Sequence, residues 1–71
     1  MPARALDLSV LHGSRHMDTF QASGDPADPA WLQGQLRDWL TAKKWHASRW
    51  GEFELIARAA GRSKQLAKVR T

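Results

Sequence analysis

A chain of 71 residues with no cysteine has room for one small domain, and neither a disulfide staple nor a thiolate zinc site is open to it. The formal net charge is +4, divided as −2 over residues 1–28 and +6 over residues 29–71. Such an asymmetry suggests an anionic partner, with nucleic acid the default, and the short length disfavours a deep enclosed active site.

In chain order, Leu6, Leu8 and Val10 alternate with Asp7 and Ser9, which is the period of a strand. Gly13-Ser14 can turn the chain into a second strand near His16 to Gln21, and disorder is the competing reading. A lone hairpin is not stable in water, so these strands would need the helix or further strands to pack on. The stretch Gly13 to Met17 resembles a cloning scar, in which case the first sixteen residues would not matter to the fold. Asp7 interrupts the apolar stretch after Arg4, which argues against a secretory leader, and no run reaches the roughly 20 apolar residues of a membrane helix. A cytoplasmic location is expected, with no membrane partner.

Residues 22–29 hold Gly24, two Asp and two Pro and read as a loop. Asp28 then offers an N-cap and Pro29 an N1 residue for a helix over 29–44. Trp31, Leu32, Leu36, Trp39 and Leu40 recur at helical spacing, with Gln33, Arg37, Thr41 and Lys44 on the other side. Just beyond lie Trp45 and Trp50. Trp45 reads as a cap on the small core, whereas Trp50 is an interaction candidate, because Trp beside Arg anchors protein interfaces or stacks on bases.

Residues 51–70 decide the fold. As a helix, Phe53, Ile56, Ala57 and Ala60 share a face; as a strand, Phe53, Leu55, Ala57 and Ala59 do. Alanine content and the chance to place Leu66 beside Val69 favour helices, with Gly61 at positive φ between them and Ser63 capping the second. The expected fold is therefore mainly α: an extended or hairpin segment over 1–28, then a small basic domain over 29–71 with three helices at 29–44, about 52–60 and about 63–70. The rival is an α+β fold of order ββαββ, in which the last two segments form a hairpin paired with the N-terminal strands.

The run from Ile56 to Lys64 resembles the turn region of bacterial helix-turn-helix regulators of the tetracycline-repressor and lactose-repressor types. Ala57 stands where the helices approach, Gly61 where the chain turns, and Ser63 where the recognition helix begins. Arg62 departs from the apolar residue usual after the glycine. The resemblance implies binding of duplex DNA, with Lys64, Gln65 and Lys68 on the reading face and Arg58, Arg62 and Arg70 on phosphates. A reader this small would act as a homodimer or with a protein partner. A protein-interaction module without nucleic-acid binding is the second reading. His12, His16, Ser14 and Asp18 are not expected to compose a metal site or a triad, since no third ligand stands nearby and nothing fixes their geometry, and no glycine-rich phosphate loop or nucleophile elbow is present. No enzyme activity, cofactor or small-molecule substrate is expected.

Overall fold

The computed structural model describes residues 3–44 and 51–71. Its elements are β1 (Arg4–His12), β2 (Arg15–Gly24), α1 (Pro29–Ala42), β3 (Phe53–Ala59) and β4 (Gln65–Arg70). The four strands form one antiparallel sheet in the order β2-β1-β3-β4. The three-helix core expected from the sequence is not what forms. Residues 53–59 and 65–70 are strands, and the order is the ββαββ of the rival reading.

The first hairpin follows from local chemistry. Gly13 takes φ 66°, the positive value that a two-residue hairpin turn can ask of its first position, and His12 pairs with Arg15 across it. Leu6, Leu8 and Val10 then point to one face and are fully buried. Residues 4–12 are thus one of the two inner strands of the sheet, and the turn at Gly13-Ser14 is part of the fold, whatever its likeness to a cloning scar.

Helix α1 begins as its sequence indicates. The Asp28 carboxylate accepts from the Trp31 N–H at 3.2 Å, and Pro29 occupies the first turn. The helix ends at Ala42, and Lys44 beyond it adopts φ 59° while its N–H donates to the Thr41 carbonyl at 3.1 Å. Leu32, Leu36 and Leu40 form its buried stripe.

That stripe meets one face of the sheet. Leu6, Leu8 and Val10 of β1 and Phe53, Leu55 and Ala57 of β3 complete the buried core, flanked by Phe20, Ala22, Trp31, Trp39, Ala67 and Val69. The residues read as a second helix are therefore split between faces: Phe53, Leu55 and Ala57 inward, Glu54, Ile56 and Arg58 outward. The pairing expected of Leu66 with Val69 fails as well. Leu66 sits in a β-bulge and is exposed, whereas Val69 lies opposite Leu55 on the core side. Non-local pairing overrides the helix preference of the alanines, because β1 would otherwise leave one backbone edge unbonded, and Phe53, Leu55 and Ala57 continue its apolar row beneath α1. Gly61 does take a positive φ, 74°, but within the β3–β4 loop rather than at a helix end. No helix among the described residues is long and apolar enough to cross a membrane.

Two glycines make opposite predictions. A Cβ at Gly24 would fall inside the Trp31 ring, whereas a Cβ at Gly34 meets nothing within 4 Å. Gly24→Ala should lower unfolding stability by about 1–3 kcal/mol through overpacking, and Gly34→Ala should raise it by about 0.5–1 kcal/mol through helix propensity. Urea denaturation followed by circular dichroism measures both. Loss of stability in Gly34→Ala would mean that the helix does not run through that position.

Candidate nucleic-acid interface

Helix α1 covers one face of the sheet, and among the described residues no element packs on the opposite face. From β2 to β4 it presents Thr19 and Gln21, then Asp7 and Ser9, then Glu54, Ile56 and Arg58, then Lys68 and Arg70. Ser9 is buried to 6% exposure on this open face, roofed by its own neighbours. Its Oγ shares a hydrogen bond with Thr19 Oγ1 at 3.2 Å, and Thr19 Oγ1 is bonded to His16 Nε2 at 2.6 Å. The skipped residue at the Val10/Leu11 bulge is what brings His16 and Thr19 to the same side. From β3, Arg58 Nη1 donates to Ser9 Oγ at 3.5 Å, and Arg58 Nε donates to the Ser63 carbonyl at 3.1 Å. Asp7 accepts from the Gln21 side chain at 3.3 Å and from the Gly61 N–H at 3.2 Å. These bonds tie the β3–β4 loop back to the centre of the sheet.

The charge is distributed unevenly over this frame. Residues 53–70 carry Arg58, Arg62, Lys64, Lys68 and Arg70 against Glu54, a net of +4, equal to that of the whole chain. The remaining six basic and six acidic residues cancel. The β3–β4 hairpin, at one edge of the sheet, therefore holds the entire net charge.

All six residues expected to contact nucleic acid lie on this hairpin, but not as a helical reading face. Arg62 and Lys64 are exposed in the loop, and Gln65 opens β4 opposite Arg58. Arg58 is committed to Ser9 and Ser63. Lys68 Nζ lies 3.6 Å from Glu54 Oε2, and the Arg70 guanidinium lies 3.4 Å from Glu54 and 3.9 Å from Glu52. Lys64, Gln65 and Lys68 do not project from one helix, because this segment is a loop followed by a strand. The stretch from Ile56 to Lys64 that resembles a helix-turn-helix falls on β3 and the loop after it. Trp50 lies outside the described residues. The part played by Glu54, Ser9, Thr19 and His16 was not foreseen. Its one trace in the sequence is the alternation of Asp7 and Ser9 with the apolar residues of β1, which marks a second, polar face.

On the helix side, Met17, Asp18, Trp39 and Lys43 line an open hollow of about 300 Å³. Its Asp18 and Trp39 side chains are already engaged with one another. Trp39 Nε1–H donates to Asp18 Oδ2 at 2.8 Å, and the Thr19 N–H donates to Asp18 Oδ1 at 2.9 Å. Among the described residues, no group of three or more His, Cys, Asp or Glu is placed to hold a metal ion. No protein-family model, curated protein or solved structure matches the chain.

The Asp18 carboxyl is held below its ordinary value of 3.8, chiefly by the indole N–H of Trp39; partial desolvation opposes this, and the Thr19 N–H, Lys43 and His16 assist it. A carboxyl depressed in the folded state adds stability above its unfolded pKa, and that stability is lost as the pH falls through the folded value. In an NMR titration the Trp39 Nε1–H resonance should move with a midpoint below 3.8. In Asp18→Asn that movement should vanish. A midpoint at or above the ordinary value would remove the indole–carboxylate bond from the account.

Proposed function

We propose that the protein binds nucleic acid through the β3–β4 hairpin. The observation that carries this reading is the placement of the whole net charge of +4 on that one element. Phosphate backbones attract such a patch without regard to sequence, and exposed Lys and Arg release condensed counterions when they engage it. Arg62 and Lys64 are exposed and make no ion pair among the described residues. Lys68 and Arg70 are paired with glutamates, but the two cations are themselves exposed and each pair is of small individual worth, so a phosphate can compete for them. The bonds from Arg58 to Ser9 and Ser63 and from Gly61 to Asp7 hold the loop in place, which reduces the ordering cost of binding.

The test is fluorescence anisotropy with a labelled DNA duplex of about 25 base pairs at several salt concentrations. Four phosphate contacts predict a loss of affinity on the order of a hundredfold between about 50 and about 200 mM salt. Replacing Arg62 and Lys64 together by serine should flatten the slope of log affinity against log salt by about 2. Both positions are exposed in the loop, and circular dichroism can verify that the fold is kept. Glu54→Gln removes the counter-charge shared by Lys68 and Arg70 and should tighten binding about threefold or more. Absence of saturable binding at low salt, or an unchanged slope in the double variant, would overturn the proposal.

A further inference from the structure

Resting on the nucleic-acid reading above, we infer that the ligand is B-form duplex DNA, that the β3–β4 ribbon enters its major groove, and that Gln65 and Leu66 meet the base edges there.

Size selects the ribbon. Adjacent strands lie about 4.8 Å apart, so the axes of a four-stranded sheet span roughly 14 Å before side chains are added, more than the major groove of about 12 Å. A two-stranded ribbon fits that groove. β4 is an edge strand with no sheet neighbour on its outer side; α1 packs on the opposite face, and its Gln33 side chain donates to the Arg70 carbonyl at 3.3 Å near the end of β4. The ribbon can therefore enter by its open face and by the Gln65–Leu66 end of its outer edge. β1 and β2 remain outside the groove.

Chemistry selects the duplex. Single strands are held mainly by bases stacking on exposed aromatic rings. Among the described residues, Phe53 belongs to the core, and Phe20, Trp31 and Trp39 pack against it on the helix side. The open face carries hydroxyl, amide, carboxylate, guanidinium and ammonium groups and the His16 imidazole, which is held by Thr19, with no Phe or Trp ring among the described residues. Its cationic and amide groups suit phosphates and groove edges. Duplex RNA is disfavoured by the same geometry, because its major groove is deep and narrow.

The bulge supplies the reading residues. Between Ala57 and Arg58 the register shifts, so that Gln65 and Leu66 together stand against Arg58. Such bulges re-aim side chains. Leu66, 38% exposed, is the exposed large hydrophobic among the described residues, and Gln65 beside it is exposed too. A glutamine can bond adenine at N6 and N7, and an apolar side chain can contact the thymine methyl, so the pair is suited to an adenine–thymine step. Arg58, fixed at both ends by Ser9 and Ser63, acts as a positioning residue that stiffens the ribbon beneath the bulge.

The experiment begins with enrichment of duplexes from a randomised pool by the wild-type protein. Anisotropy then compares an enriched duplex with its single strand and with the RNA duplex of the same sequence. Preference for the DNA duplex by roughly tenfold or more is expected. Two modified duplexes probe the groove itself: 7-deazaadenine for adenine removes the N7 acceptor, and uracil for thymine removes the methyl. Each should weaken the wild type roughly five- to tenfold. The first change should leave Gln65→Ala unaffected, and the second should leave Leu66→Ser unaffected. Equal binding of the single strand, or indifference of the wild type to both modified duplexes, would overturn major-groove reading while leaving nucleic-acid binding in place. Failure to bind any of these nucleic acids would overturn both.

Discussion

β1 has an apolar row on one face and two backbone edges, and β2, β3 and α1 each satisfy one of these, while β4 is added on the far side of β3. Leu6, Leu8 and Val10 are fully buried, which requires the leucine stripe of α1 above them. The β1 edges are bonded by β2 on one side and β3 on the other. Truncating any of these leucines would leave a cavity worth about 2–5 kcal/mol in a domain whose total stability is of similar size. In so small a chain no second core can compensate.

A single helix can cover only one face of a four-stranded sheet, and the polar character of the other face follows. Hydroxyls, carboxylates and guanidinium groups there bond one another across strands, as in the chain from His16 through Thr19 and Ser9 to Arg58. This arrangement gives the β3–β4 loop a firm base without apolar packing of its own. It also explains how Arg58, on the most basic element, is better placed to organise that element than to leave it for a ligand. The charges of β4 serve the fold too, since Lys and Arg on an edge strand discourage pairing with other chains. In the proposed function the same side chains attract the anion, and Glu54 offsets one of the two positive charges of Lys68 and Arg70.

Local features could be read from the residues themselves. The alternation in 6–10, the turn at Gly13, the loop over 22–29 and the helix capped by Asp28 each depend on contacts a few residues apart. The concentration of basic residues on the last segment was equally plain, because charge needs no fold to be counted. The geometry of that segment was not, since Phe53, Ile56, Ala57 and Ala60 suit a helix as well as Phe53, Leu55 and Ala57 suit a strand. The bulge at Leu66 compounded the ambiguity. By inserting one residue into β4 it breaks the strict alternation that would have marked a strand, and it makes Leu66 and Val69 look like helical neighbours.

By itself, the sequence determined the capped helix and the placement of net charge and offered the first hairpin against disorder, all of which rest on short-range periodicity, turn chemistry or composition. Only the tertiary structure decided that residues 53–70 are strands. The reason is that the deciding partner, β1, lies more than forty residues away in the chain: its unbonded edge and apolar row favour an extended β3, and no local propensity records that demand. With that choice the six basic and amide side chains, separately visible in the sequence, moved from a helix face to a sheet-edge ribbon, and the polar roof over Ser9 came into being between strands distant in the chain.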